Sequence, residues 1–315
     1  MTHVSTRPFA PSAASLTLQD GPVLLATKPL SGSDAPLAVA RWLATREERQ
    51  LHVVSVLEPN DGLAGAAGLP PLPPQYYDEE RAAVAASITR ELVLHQNGTD
   101  DLRVEVLDGP SVPAIIEAAR ASHARVIVVG TGRHDRLGRF VYGERALQIL
   151  SESDRPVLIV PRDAHAGAVT SAVVAVDFSP ASLRAARAAI PMLSEGGRLI
   201  LVHVKTAVSL HAETAGWWND AYERRCADLF AQFQRQLPKL RGITIETKFL
   251  RGEAVRSILD FADSCEAGLI ACGRLGHSFI GRVLAGSVSS ALVRSAKCPV
   301  LVAPALACDD ANGLG

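Results

Sequence analysis

The sequence predicts two α/β domains in tandem, each a parallel sheet covered by helices on both faces, and three observations carry that prediction. The chain has 315 residues, enough for two domains of ordinary size, with 48% hydrophobic and 21% charged residues, the balance of a globular protein with ample core. Each half alternates short, continuously apolar runs with helical patterns, as strands buried on both faces require. The two halves also repeat one another. Residues from Gly109 to Pro161 align without a gap on Gly252 to Pro304 at an offset of 143, setting Gly130 on Gly273, His134 on His277, Gly138 on Gly281 and Gly143 on Gly286. Towards the front the offset is about 150, where Val23 onwards matches Val173 onwards, a change that loops of different length explain.

Taken in order, the second half predicts strands at Ser171–Val176, Arg198–Val204, Ile243–Phe249, Gly268–Cys272 and Val300–Ala303. Helical patterns fill the gaps at Pro180–Leu193, Tyr222–Leu237, Glu253–Ser264 and Val288–Ala296. The domains are placed at 21–161 and 171–304, joined near Arg162–Thr170. In the first half the Pro- and Gly-rich stretch 62–77 is read as a loop before a helix over Asp78–His95. Trp217 and Trp218 are placed in the loop between the second strand and its helix, either covering a ligand or packing on the core. The strands "PVLIVP" and "PVLVAP" each end a sheet and would be exposed apolar edges if left unpaired.

Composition narrows the function classes. A net charge of −1 gives no field to attract nucleic acid or anionic lipid. The first twenty residues have neither the basic and apolar regions of a secretory signal nor a membrane-length apolar run, so a cytoplasmic setting is expected. The sequon at Asn97 carries no weight there. The five cysteines (226, 265, 272, 298 and 308) are odd in number and lack CxxC spacing, which argues against a disulfide framework or a zinc site.

The chemistry sits where an open parallel sheet holds its ligands, beyond the carboxyl ends of the strands. In the second half these ends carry "DFSPAS" (Asp177, Phe178, Ser179) and "GRLGHS" (Gly273, Arg274, Gly276, His277). Gly273 is read as letting the chain leave its strand at an angle barred to other residues, and Gly276 as removing a Cβ where a ligand approaches. Gly286 and Ser287 open the next helix through Val288 and Ser289, whose free N–H groups and dipole favour an anion, with the hydroxyls of Ser287 and Ser289 as further donors. Ser287 stands where a Walker A loop needs lysine, and no GxGxxG follows a first strand, so neither of those motifs is present. Ser287 also has a plain reading as a helix cap, and Asp177 as turn chemistry.

The spacing G-x2-G-x9-G-S at Gly273, Gly276, Gly286 and Ser287, closed by "CPVLVAP" and joined to "VAVDFSPAS", resembles the universal stress protein family in its tandem form. The resemblance runs from about Pro22 to Pro304. It implies a Rossmann-like, five-stranded sheet of order 3-2-1-4-5 in each domain and a nucleotide-binding rather than enzymatic protein, acting in stress response or regulation through conformation or partners. ATP is the implied ligand, with magnesium bridging its phosphates and no protein ligand assigned to the metal. By resemblance Asp177 meets the ribose region and the glycine-rich stretch holds the phosphates. The adenine falls to the end of the second strand, at His203 and Val204. The family also implies that the two final strands pair as an internal pseudo-dimer; a homodimer of chains is compatible with this, and no residue specifies it.

The first half departs at three positions. Thr27 stands for the aspartate, Arg133 for the second glycine and Glu144 for the serine. A carboxylate at a helix N-terminus complements the dipole itself and repels an incoming phosphate, so the first site is read as lost. Arg133, Arg136 and Arg139 leave open a basic loop for another anion. Two rival classes remain: an interaction module without nucleotide, and a slow ATPase. Against the latter, no second carboxylate, lysine or histidine is placed by sequence near Ser287 to position water or a metal pair.

Overall fold

The computed structural model describes residues 21–27, 34–58, 74–94, 102–131, 144–205, 212–238, 242–274 and 287–305. Residue contacts divide the chain into two compact units, Met1–Arg155 and Pro156–Gly315.

The first unit contains β1 (Val23–Ala26), α1 (Asp34–Arg46), β2 (Leu51–Leu57), α2 (Pro74–Leu94), β3 (Leu102–Asp108), α3 (Ser111–Ala121), β4 (Val126–Gly130) and α4 (Glu144–Glu152). Its strands lie parallel in the order β3-β2-β1-β4. The central pair is built from side chains that water does not reach: Val23, Leu24 and Leu25 of β1 and Ile127 and Val128 of β4 are at most 1% exposed. α2 starts at Pro74, so the last part of the stretch read as loop is helical; residues 59–73 lie outside the described residues.

The second unit begins with β5 (Val157–Val160), followed by β6 (Val169–Ala175), α5 (Pro180–Ala189), a 3₁₀ turn at Ile190–Met192 and β7 (Leu193–Lys205). It continues with α6 (Ala212–Arg235), β8 (Thr244–Arg251), α7 (Ala254–Ser264), β9 (Leu269–Gly273), α8 (Ser287–Ser295) and β10 (Val300–Ala303). The strand order is β5-β10-β9-β6-β7-β8, parallel except for β5, which runs antiparallel to β10 with Leu158 opposite Leu301. Read from its far edge, the second repeat gives β8-β7-β6-β9-β10, the 3-2-1-4-5 order expected. β5, a strand of the first repeat by sequence, belongs to the second compact unit because it covers the edge of β10. Each strand of that pair would otherwise present an unpaired apolar ladder.

Several boundaries differ from the sequence reading; β7, for one, starts at Leu193 rather than Arg198. α5 ends at Ala189 rather than Leu193, because Pro191 cannot donate to a helical ladder and the chain tightens into the 3₁₀ turn. α6 starts ten residues before Tyr222, so Trp217 and Trp218 are helical rather than in a loop.

Between β2 and β3 His52, only 1% exposed, donates from Nε2 to Glu105 Oε2 at 2.8 Å, and Arg103 Nη2 reaches the same oxygen at 3.0 Å. The histidine hydrogen bond, and after it the Arg103 charge, hold the Glu105 carboxyl below its ordinary value against the opposing effect of burial. A carboxyl depressed in the folded state stabilises fully above its unfolded value of about 4.3. That contribution is lost as pH falls through the lower folded value. Glu105→Gln is therefore expected to flatten the acid limb of a plot of Tm against pH below about 4.3, leaving the profile above pH 6 parallel to wild type. An unchanged acid limb would show that the pair contributes nothing.

Candidate functional site

In the second unit the strand order reverses between β6 and β9, which opens a crevice at their carboxyl ends. The chain leaves β6 through Val176, whose N–H still donates to Val202 O at 2.8 Å. Asp177 follows, exposed. Its Oδ1 accepts from the Ser179 backbone N–H at 3.0 Å and from the Ser179 hydroxyl at 2.5 Å. Among the described residues Oδ2 has no hydrogen-bond partner. Ser179 also caps α5, its Oγ accepting from Ser182 N–H at 3.2 Å, with Pro180 in the first turn of the helix. The turn reading holds in this geometry: the cap fixes the loop, and Asp177 stays exposed while bonded through Oδ1.

Between them Phe178 takes φ = 64°, a left-handed conformation that a bulky residue adopts only when its surroundings hold it. Its ring supplies the hold. It lies 4.8 Å from His203 and 5.1 Å from Phe230, the latter edge-on, with Phe233 at 6.5 Å.

His203, near the end of β7, bridges two elements. Nδ1 donates to Val176 O at 2.7 Å, which makes Nε2, in the neutral ring, the acceptor for the Tyr222 hydroxyl of α6 at 2.9 Å. Phe249 of β8 lies 6.1 Å from the same imidazole, and Lys205 Nζ sits 4.6 Å above the Tyr222 ring. The sequence singled out His203 and Val204 but not Tyr222, Phe249 or Lys205. The signal for Lys205 was the period of two along β7, which puts it on the same face as His203; nothing in the spacing linked either to Tyr222.

Gly273 ends β9 beside this loop, for a different reason from the one the sequence suggested. Its φ is not in the left-handed region. A Cβ there would instead lie 2.7 Å from Ser182 N and 2.8 Å from both the carbonyl carbon and the Cβ of Ala181, so the first turn of α5 packs directly onto the glycine. Cys272, next to it, is buried, and its thiol is pushed up to about 12, chiefly by burial and further by the Asp177 carboxylate. Arg274 continues outward with its N–H on Ala303 O at 2.7 Å.

Gly276, His277 and Gly286 lie outside the described residues. Ser287 is the first residue of α8, with Val288 half-buried and Ser289 only 2% exposed in its first turn. Among the described residues no group of three or more His, Cys, Asp or Glu side chains forms a metal site, and Cys226, Cys265, Cys272 and Cys298 are free. No described helix is long and apolar enough to cross a membrane.

The first unit repeats the frame with altered chemistry. Gly130 ends β4 under Pro36 of α1, whose Cγ would lie 2.9 Å from an added Cβ. Thr27 follows β1, its N–H on Val54 O at 3.0 Å, as Val176 N–H is on Val202 O in the second unit. Glu144 is the exposed first residue of α4. Beside it Arg145 Nη2 donates to Glu58 Oε2 at 2.5 Å, tying the start of α4 to the residue after β2. Arg133, Arg136 and Arg139 lie outside the described residues.

The family model for universal stress proteins matches twice, over residues 21–161 and 169–304. Among curated proteins, a universal stress protein of Mycobacterium tuberculosis is 26% identical over 298 residues, covering 87% of this chain and 95% of its own length. A universal stress protein of Methanocaldococcus jannaschii is 34% identical over 140 residues, 41% of this chain and 79% of its own. Among solved structures, a universal stress protein from Archaeoglobus fulgidus superposes with a TM-score of 0.60 at 19% identity, covering 91% of this chain and 97% of that one. With both repeats matched and the relatives spanning most of its length, the chain belongs to the universal stress protein family.

Proposed function

We propose that the second unit binds an adenine nucleotide, ATP in the first place, at the carboxyl ends of β6, β7 and β9, and that the protein works by binding rather than by turnover. One observation carries the reading: an exposed carboxylate, Asp177, held through one oxygen by Ser179 and without a hydrogen-bond partner at the other among the described residues, follows β6 at the sheet's switch point, next to the strand that ends at Gly273. That open oxygen fits a ribose hydroxyl, a neutral donor. In this reading the backbone of Val204, beside the aromatic group of Phe178, His203 and Tyr222, faces the base. Gly273, Arg274, Gly276, His277, Gly286, Ser287, Val288 and Ser289 form the phosphate cradle, closed by the positive end of the α8 dipole. ATP would bring magnesium with it, since the described residues offer no cluster of their own for a metal.

In the first unit the same places hold Thr27, a carboxylate at the helix start and the ion pair of Arg145 with Glu58, the residue after β2, which supports a structural role there. Bound nucleotide stabilises the second unit by mass action, and output passes through conformation or partners.

A charge-assisted hydrogen bond contributes about 1.5–3 kcal/mol, which corresponds to roughly ten- to a hundredfold in affinity. Asp177→Ala is therefore expected to weaken ATP binding at least about tenfold by calorimetry while the circular dichroism spectrum stays that of wild type. Unchanged affinity in a folded variant would remove Asp177 from the site.

A further inference from the structure

β8 is the outer strand of the second unit's sheet, and among the described residues it pairs with β7 alone. Gly252 N–H donates to Lys205 O at 3.1 Å, and Lys205 stands opposite Arg251, which fixes how the backbone of β8 is turned. Glu246, Lys248 and Leu250 direct their N–H and C=O groups to β7, whereas Ile245, Thr247, Phe249 and Arg251 direct theirs to the open edge. Thr244, Thr247, Lys248 and Arg251 are exposed. A row of free donors and acceptors along an exposed strand is a template for another strand.

The outer strand of the first unit, β3, differs in its charges. Glu105 is half-buried and accepts from both His52 and Arg103 of its own chain, and Asp108 at the strand's end is held by Arg81 of α2. Those groups are satisfied within the chain. On β8, Glu246 lies 3.7 Å from Arg198 of β7 with its side chain still 33% exposed. Lys248, two residues on and therefore on the same face, forms no ion pair among the described residues. β8 thus offers an acid and a base side by side on a strand whose backbone is unpaired.

We propose that β8 pairs antiparallel with β8 of a second copy of this chain, about a two-fold axis through Thr247. Opposed residues in a regular ladder turn their backbone groups the same way, so the axis passes through a residue. Charge decides which one. Centred on Glu246 the pair would set carboxylate against carboxylate, and centred on Lys248 ammonium against ammonium; like charges directly opposite are destabilising. Centred on Thr247, Glu246 of each copy faces Lys248 of the other. The backbone agrees with that register. Thr247 meets Thr247 and Ile245 meets Phe249 as pairs that exchange both backbone bonds, because all of them turn outward. Glu246 and Lys248 then fall at the non-hydrogen-bonded positions, where Cα atoms approach to about 4.5 Å and side chains meet most closely. The contact is isologous and closes as a dimer. This inference is independent of the nucleotide reading.

Sedimentation velocity of the whole chain, without nucleotide, reads the assembly. A dimer is expected, with a dissociation constant on the order of 10 µM for so short a contact. Glu246→Lys and Lys248→Glu each set like charges across the axis, and each alone is expected to dimerise at least roughly tenfold more weakly. Mixed in equal amounts the two variants face one another with opposite charges at both places, so the mixture should recover the dimer. An unfolded variant would not do this. Thr247→Pro removes an outward N–H and leaves the ladder to β7 intact, so it should be a monomer with the circular dichroism of wild type. Should that variant not fold, the two charge variants and their mixture decide. A wild type that stays monomeric at roughly 100 µM, a dimer that survives either charge reversal, a mixture that stays monomeric, or the open-ended assembly that β8 pairing with β3 would give would overturn the proposal.

Discussion

Gly273→Ala is expected to destabilise the second unit by about 3 kcal/mol, the upper range for overpacking a close-packed interior. In thermal unfolding that amounts to a fall of roughly 6–12 °C for a unit of this size. The reason lies in what the new methyl would meet. Backbone atoms of Ala181 and Ser182, in the first turn of α5, lie 2.7–2.8 Å from the Cβ position, and backbone cannot rotate aside as a side-chain tip can. The helix must lift from β9, and with it Ser179 and Asp177, so nucleotide affinity falls together with stability. Gly130→Ala is the internal control: its Cβ would meet the Pro36 ring at 2.9 Å and no backbone atom, and about 1 kcal/mol is expected. Paired melting curves check both. Equal shifts for the two variants would show that the approach of α5 is not what keeps Gly273 a glycine.

That glycine shows how far the sequence was legible. Its position at the end of a buried strand was readable from the repeat, but the cause was not. A positive φ and a close helix both select glycine, and only coordinates tell them apart. The parallel sheets were legible because strands such as β9 are apolar at consecutive positions, which only burial on both faces explains. The start of α6 was not, although Trp218 stands four residues before Tyr222 and continues the period of Tyr222, Cys226, Phe230 and Phe233, because Gly216, a poor helix former, interrupts those turns. The pairing of β5 with β10 was expected through the family resemblance, and the structure shows it; a strand's own sequence says that it is buried, not which edge it covers. At the site, the loop residues Asp177 and Ser179 were found from local spacing. The contact of His203 with Tyr222 joins residues 19 apart on different elements, and no local pattern encodes it.

Copying the first repeat into the second gives the largest functional effect expected. Gly276→Arg with Ser287→Glu puts a side chain where a phosphate would approach and a carboxylate at the start of α8, as Arg133 and Glu144 stand in the first repeat. Two negative groups cannot share one helix N-terminus without repulsion, and the carboxylate satisfies the dipole on its own. The variant should fold, because the first unit tolerates both residues in the same frame. Binding of ATP is expected to fall by more than about a hundredfold, the loss of some 3 kcal/mol or more. A folded double variant that binds ATP as wild type does would place the phosphates elsewhere.

The measurement that bears most directly on the account is the number of ATP sites per chain, from calorimetric titration of the whole protein with ATP and magnesium. One site per chain, absent in Gly276→Arg with Ser287→Glu, is the predicted result. Two sites would contradict the loss of the first cleft, and none would leave the glycine-rich frame as loop geometry in a protein that acts without nucleotide.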